Sequence, residues 1–352
     1  LPQPPLSRAQ LEAARDAVVT HGSVSAAARA LGIPRPTLND HLKRAEEQGL
    51  LSRPRAEPNP SRFRPGLEIV AARKAEFARV RDSGPVNQTV IHLADDKPFM
   101  LVALGDPHLD NPGTDLDLWE KWIAILDYTQ GRYGIGLGDW LDNWLRVLSH
   151  LYSTAETTAP EGWILLEHYL EQIGEHLIAS VAGNHDDWSG HSDVLAMLMA
   201  RHNVRHRSKS LRVVLRTPGA HEVSVNMRHR WTGRSMWNEV HALKRAARMG
   251  VRDDILLGGD LHISGDTVER DPMTGKLTYC YQVASFKLVD DYADDKGFLD
   301  RHVSPAVALV VDPALPLNNP DRIRHFYTPE KAVQYLEMLR PSGGARKARR
   351  VR

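Results

Sequence analysis

"HLIASVAGNHD" (176–186) decides how this chain is read. An apolar run of strand length breaks at Gly183 and passes straight into Asn184, His185 and Asp186. A buried strand ending in an amide, an imidazole and a carboxylate either meets a polar loop or delivers ligands to a shared point. Four other segments bear on the choice. "FMLVALGDPH" (99–108) ends in Gly105, Asp106 and His108, and "YGIGLGDWLDN" (133–143) in Gly138, Asp139, Asp142 and Asn143. "EVSVNMRHRW" (222–231) alternates Val223, Val225 and Met227 before reaching His229. "DDILLGGDLH" (253–262) ends in Gly259, Asp260 and His262. One Gly-Asp after a strand is a common turn. Five such endings in order make one grammar: ligands in open α/β sheets collect beyond the carboxyl ends of strands. Glycine there lets the backbone bend sharply, so that the next side chain points into a common crevice.

The motifs Asp-x-His, Gly-Asp-x-x-Asp, Gly-Asn-His-Asp, a lone later His and a final Gly-x-x-His span roughly residues 100–265. In order and spacing this set resembles the calcineurin-like metallophosphoesterases, in their nuclease and phosphodiesterase-like branch. The resemblance implies an α/β (α+β) fold, a two-sheet β-sandwich flanked by helices. It also implies two divalent metal ions bridged by one carboxylate and a water or hydroxide. Carried over residue by residue, Asp106, His108 and His262 would bind the first ion and Asp139 would bridge both. Asn184 and His229 would bind the second. His185 would donate a proton to the leaving oxygen, with Asp142 orienting it. His241 competes with His229 but falls in an apparent helix (238–248), so His229 is preferred.

The last motif departs from the family's Gly-His-x-His: it reads Gly259-Asp260-Leu261-His262. Asp260 can coordinate through oxygen and would favour a harder ion; the alternative is a weakened second site. Mixed imidazole and carboxylate ligands favour Mn²⁺, with Fe or Zn²⁺ also compatible, over Mg²⁺. Two such ions about 3.5–4 Å apart clamp the entering and leaving oxygens of an in-line phosphoryl displacement. A general acid must reach the leaving group without being tied to a metal, and His185, next to a ligand, meets that condition.

Phosphoprotein phosphatases follow Gly-Asp-x-x-Asp with Arg-Gly and use Gly-Asn-His-Glu; here Asn143-Trp144 and Asp186 occupy those places. "RHNVRHRSKSLRVVLR" (201–216) carries six Lys/Arg and no acid, which reads either as a grip on a phosphate backbone or as a charged edge that resists aggregation. Trp140, Trp144, Trp188, Trp231 and Trp237 lie near the motifs; they read as core or as base-stacking platforms. Residues 276–297 hold an apolar strand and an acidic loop with no functional reading.

Upstream, residues 7–50 predict three short helices. "SVSAAARALG" has Ser23 or Ser25 as N-cap and Gly32 as its stop, and the next helix opens with prolines, tolerated in a first turn. Small alanines, a Leu-Gly-Ile corner and a following helix with Thr-Leu resemble Fis-type and transposase-type helix-turn-helix regions. The exposed face would present Arg35, Thr37, Asn39, His41 and Lys43 to bases and phosphates; a trihelical protein-binding bundle is the alternative. Residues 52–65 read as a proline- and arginine-rich linker, and 66–82 as a basic amphipathic helix.

The expected organisation is therefore a helix-turn-helix domain at 1–51, linker and basic helix at 52–84, phosphoesterase domain at 85–335 and basic tail at 336–352. Charge follows it: +5 over residues 1–94 (14 Lys+Arg against 9 Asp+Glu), −10 over 95–339 (25 against 35) and +6 over 340–352 (6 against 0). Basic ends on an acidic body point to a polyanionic partner, DNA first. No apolar run has membrane-span length, the first residues lack a secretory pattern, and the single Cys280 leaves no disulfide framework. A cytoplasmic setting is expected; the oligomeric state is left open. The helix-turn-helix followed by phosphoesterase motifs also resembles phage and prophage proteins. The readings carried forward are a nuclease-like phosphodiesterase, a nucleotide, small-substrate or protein phosphatase fused to a helix-turn-helix, and a DNA-binding regulator with a degenerate metal site.

Overall fold

The computed structural model describes residues 6–51, 64–82, 88–127, 129–143, 156–187, 193–235, 237–289 and 304–340. Trp144, Trp188, most of the proline–arginine linker and the basic tail beyond residue 340 lie outside them. The chain divides into two compact units, Leu1–Ser83 and Gly84–Arg352.

The first unit holds α1 (Arg8–His21), α2 (Val24–Leu31) and α3 (Arg35–Glu47), then α4 (Gly66–Asp82). Ser7 and Gln10 form a reciprocal capping box at the start of α1. The N-cap of α2 is Ser23, whose hydroxyl accepts from the Ala26 amide at 3.2 Å. Gly22 and Gly32 end α1 and α2 in the left-handed conformation, at φ 70° and 66°, where a side chain would be strained. Leu38 and Leu42 of α3 close on Ala14, Ala27 and Ala28, with Ile33 packed alongside. The alanines have no bulk to hold the helices apart, so the corner fills with two leucines. None of the described side chains of α4 is buried, and Leu67, Val70 and Phe77 stand in solvent.

The second unit is a two-sheet sandwich. In chain order its elements are β1 (Gln88–His92), β2 (Phe99–Leu104), α5 (Leu116–Ile123), β3 (Arg132–Gly136), α6 (Ala159–Ile173), β4 (Leu177–Val181), α7 (Asn184–Asp187), α8 (Asp193–Arg201), β5 (Arg205–Arg207), β6 (Ser210–Arg216) and β7 (Glu222–Arg228). There follow α9 (His241–Arg248), β8 (Ile255–Gly258), β9 (Gly265–Arg270), β10 (Leu277–Gln282), β11 (Ala306–Val311), β12 (Ile323–Phe326) and α10 (Pro329–Leu339). One mixed sheet runs β12-β11-β2-β3-β4-β5, the other β1-β6-β7-β8-β10-β9. The segment expected to be a basic tail from 336 onward begins inside α10, where Leu336 is buried.

Strand period explains the layers. Phe99, Leu101 and Ala103 point between the sheets, against Val213, Val225 and Leu257. Met100, Val102 and Leu104 point the other way, under Trp119, Leu166, Leu170 and Leu336 of the covering helices. Leu256 and Cys280 do the same on the second sheet beneath Ala242, Leu243 and Ala247 of α9. Central strands covered on both faces must be apolar at every position, which is why β2 and β8 read as unbroken hydrophobic runs. Their carboxyl ends, with those of β3, β4 and β7, open at one end of the sandwich. Among the described residues no helix is long and apolar enough to cross a membrane.

Candidate metal centre

Five strand ends meet in one buried cluster. Asp106 and His108 follow β2, Asp139 and Asp142 follow β3, and Asn184 and His185 open α7 after β4. His229 follows β7, and Asp260 and His262 follow β8. Asp106, His108, Asp139, Asp142 and His229 are buried. The bends that aim them are taken largely by the polar residues themselves: His108, Asp139, Asp260 and His262 have φ of 44°, 50°, 72° and 49°. Such left-handed conformations cost on the order of 1–3 kcal/mol each and persist only where the surroundings enforce them.

The motif glycines have a different main use from the expected bending. Gly138 does turn, at φ 101°. At Gly183 a Cβ would lie 1.9 Å from Asp139 Oδ1, and at Gly259 one would lie 2.4 Å from Asp106 Oδ1. Hydrogen is the only substituent that lets those carboxylates approach so closely.

On one side of the cluster, Nε2 of His108 and Nε2 of His262 face each other at 3.3 Å, and Asp106 Oδ2 lies 3.6 Å from the latter. On the other side, His229 Nε2 lies 3.1 Å from Asn184 Oδ1, 3.3 Å from Asp139 Oδ2 and 3.7 Å from Asp260 Oδ1. Asp139 sits between the two sides, its Oδ2 also 3.9 Å from His108 Nε2. Among the described residues the potential ligand atoms fall into three overlapping triads, each within a 4.8 Å span: Asp106–His108–His262, His108–Asp139–His185 and Asp106–Asp139–His229.

This donor set fits divalent cations. Asp106 Oδ1 is buried with no hydrogen-bond donor among the described residues, and carboxylate oxygens converge with imidazole nitrogens around it. Burial pushes the Asp106 carboxyl up to about 7, with the imidazole of His229 opposing and Asp139 adding to the rise. Burial works against a charged His229, yet Asp106 and Asp139 lift it to about 10. Burial likewise opposes charge on His108, and Asp142 overrides it to about 9. Asp139 is held below the usual carboxylate range, its burial outweighed by His229, His108 and His185. The pocket demands positive charge, which imidazolium groups or metal ions can supply.

The outer contacts fix which nitrogen faces inward, as around many metal-ligating histidines. His229 donates from Nδ1 to the Leu137 carbonyl at 2.8 Å, leaving Nε2 for the cluster. Asp142 divides its work. Its carboxylate Oδ1 lies 2.7 Å from His108 Nδ1 and 3.5 Å from His185 Nδ1; its backbone carbonyl accepts from His185 Nδ1 at 3.0 Å. The expected orientation of His185 therefore runs mainly through the Asp142 backbone, while the side chain serves His108. Burial, with the charge of His108, lowers the His185 imidazole.

The motifs left other supports without a structural role. The Asp186 carboxylate accepts from the amides of Asp139 (2.8 Å), Trp140 (3.1 Å) and Gly183 (2.8 Å), stitching the β3 and β4 ends together. Asp110 accepts from the Asp142 amide at 2.6 Å, and the Asn111 amide donates to the Asp142 carboxylate. The segment after β10 also acquires a purpose: Ser285 Oγ (2.7 Å) and the Phe286 amide (3.0 Å) both donate to the Asp106 carbonyl. The signal for Asp110 was its place in "GDPHLD", two residues past His108; nothing local marks Ser285.

Asp260 reaches the rim beside His229, but its oxygens are engaged elsewhere. Arg230 grips it with Nε (2.8 Å) and Nη2 (2.6 Å), and Arg234 with Nη2 (2.7 Å). His241 opens α9 and is exposed, so His229 alone of the two sits in the cluster. Trp140 and Trp231 are core residues, donating from Nε1 to Ser180 Oγ (3.1 Å) and to the Leu257 carbonyl (2.8 Å). Trp237 is exposed. In the basic stretch, Arg201, Arg212 and Arg216 pair with Glu167, Asp253 and Glu222. Arg205 and Arg207 stand out from the edge strand β5. A cavity of about 410 Å³ near β1 and β5, lined in part by Gln88, Arg205, His206 and Arg207, shares no residue with the cluster.

No protein-family model matches the chain, and no curated protein is significantly similar to it. Among solved structures it is distantly similar to Vps29 from Entamoeba histolytica complexed with Zn²⁺. That match has 11% identity and a TM-score of 0.33, covering 61% of this chain and 88% of the other. Vacuolar protein sorting 29 from Cryptosporidium parvum matches at 14% identity and a TM-score of 0.33, covering 66% and 97%. A conserved uncharacterized protein of Streptococcus pneumoniae TIGR4, described as a predicted phosphoesterase, matches at 12% identity and a TM-score of 0.28, covering 65% and 97%.

Proposed function

We propose that this chain is a dimetal-dependent phosphoesterase that hydrolyses phosphodiester bonds, with DNA as its substrate. The observation that carries the reading is the convergence of Asp106, His108, Asp139, Asn184, His229 and His262 from five strand ends, with His185 beside them. Asp106, His108 and His262 would hold one ion, Asn184 and His229 the other, and Asp139 would bridge. Mn²⁺ suits this set best, and Fe or Zn²⁺ is compatible. Bound there, the ions would neutralise charge on the phosphoryl oxygens and activate water near neutral pH.

The chain's own groups do the rest. Asp142 and the Leu137 carbonyl hold His108 and His229 with Nε2 inward. Asp186 locks the two loops that carry Asp139 and His185. His185, fixed through Nδ1, exchanges a proton with the leaving oxygen at Nε2. In the first unit, Arg35, Thr37, Asn39 and Lys43 are exposed on α3 and His41 is half-buried. Arg35, Asn39 and Lys43, four apart, share one face of α3, and that face supports docking on a DNA groove, with Arg35 and Lys43 meeting phosphates.

The test is incubation of the full chain with Mn²⁺ and linear duplex or single-stranded DNA, beside bis(p-nitrophenyl) phosphate and p-nitrophenyl phosphate. Cleavage of DNA and of the diester is expected. Hydrolysis of the monoester with DNA left intact would replace the nuclease reading with a small-substrate phosphatase. A second reading, a DNA-binding regulator with a degenerate centre, is favoured by one observation: Asp260 is already neutralised by two arginines. Sequence-specific DNA binding by a chain that retains no metal would establish it.

A further inference from the structure

Asp260 stands where the family pattern has a metal-binding histidine, and its surroundings give it another task. Its side chain is 5% exposed, whereas those of Arg230 and Arg234 are 59% and 58% exposed. Three guanidinium N–H groups converge on its two oxygens. A carboxylate so committed has little left for a cation, and two guanidinium charges beside it repel one. Its backbone is occupied too: the Asp260 amide donates to Asp106 Oδ2 at 2.8 Å. Arg230 follows His229 directly, and Asp260 Oδ1 lies 3.7 Å from His229 Nε2.

We propose that Asp260 is a clamp rather than a ligand, and that Arg230 and Arg234 form an anion subsite on the rim of the centre, taking phosphoryl oxygens of the substrate. The proposal rests on the phosphoesterase reading above and assigns its specificity side. Each guanidinium has five N–H donors in a rigid fork. Arg230 spends two donors on Asp260 and Arg234 one, which leaves further donors on two side chains that are more than half exposed. Planar, paired donors of this kind suit phosphate oxygens. The trio keeps a net charge of about +1 by formal count, on a body whose overall balance is acidic. An unclamped pair of long side chains would lose rotamer freedom on binding; Asp260 removes that cost beforehand.

The experiment uses the full chain loaded with Mn²⁺ and inorganic phosphate as the probe. Phosphate affinity is read by calorimetry and bound metal by elemental analysis, for wild type, Arg230→Ala, Arg234→Ala, Arg230→Lys and Asp260→Asn. All variants are expected to keep the wild-type metal content. Each arginine-to-alanine change should weaken phosphate by about 10- to 100-fold, the scale of a hydrogen bond to a charged group. Arg230→Lys should fall between, and Asp260→Asn should weaken phosphate without loss of metal. If Asp260→Asn sheds one equivalent of metal, Asp260 is a ligand and the proposal is overturned. If wild type binds metal and phosphate but the alanine variants bind phosphate equally well, the subsite is overturned and the phosphoesterase reading stands. Wild type without bound metal removes both.

Discussion

The two units bury opposite things. The three-helix unit closes Leu38 and Leu42 over alanines and leaves its polar side chains in water. The sandwich does the same through most of its height, then at one end draws Asp106, Asp139, Asp142 and Asp186 out of solvent together. The first arrangement gains stability from every residue it buries. The second gives some up, because buried carboxylates are costly unless something positive or hydrogen-bonded meets them. The sandwich affords this because its two apolar layers, one between the sheets and one under the helices, are large. A three-helix unit has no such reserve, which is why its polar groups stay on the surface.

The largest expected effect breaks the sandwich side of this contrast. Asp139→Asn removes the carboxylate shared by both halves of the cluster. It should abolish retention of both ions, seen by elemental analysis, and lower turnover by at least about 10²-fold. His185→Ala is its counterpart: turnover should fall by about 10²- to 10⁴-fold with metal content intact. Metal loss in His185→Ala would show that its place in the cluster is as a ligand.

Leu38→Ala tests the helical unit. Emptying its central position should cost about 2–5 kcal/mol, enough to melt a unit this small while the sandwich stays folded. Circular dichroism would lose the helical contribution of α1–α3, and metal content would not change. Adding Mn²⁺ should act on the other unit alone. At about 100 times its dissociation constant it stabilises the sandwich by about 2.7 kcal/mol, read by calorimetry against a chelated sample. An unshifted sandwich transition would mean that the buried carboxylates are satisfied without metal. Smallest is Ser23→Ala, which removes the α2 cap and should destabilise the helical unit by about 1 kcal/mol.

Legibility in the sequence also differs between the units. Helix starts and stops are written within a few residues: Ser7 with Gln10, Ser23, Gly22 and Gly32 all act where they stand. Five strand ends could be read as one cluster because four repeat the same local grammar of apolar run, glycine and ligand, and the fifth brings a lone His229 after an alternating strand. Supports lying far apart in the chain could not. Ser285 meets Asp106 across 179 positions, and Arg230 meets Asp260 across 30. Neither carries a pattern of its own.

The sequence by itself determined the apolar runs of the two sheets, the order of the five ligand-bearing ends and the presence of three short helices with their glycine stops. These are local matters of period, capping and residue type. Only the tertiary structure decided what each polar residue faces. It placed the Asp142 side chain on His108 and its backbone on His185. It made Asp186 a tie between loops and turned Asp260 toward two arginines. It also assigned the left-handed bends to His108, Asp139, Asp260 and His262 and left Gly183 and Gly259 to make room for carboxylates. The reason is physical: a side chain's type limits what it can bind, but its partner is fixed by which backbone segments packing brings within about 3 Å.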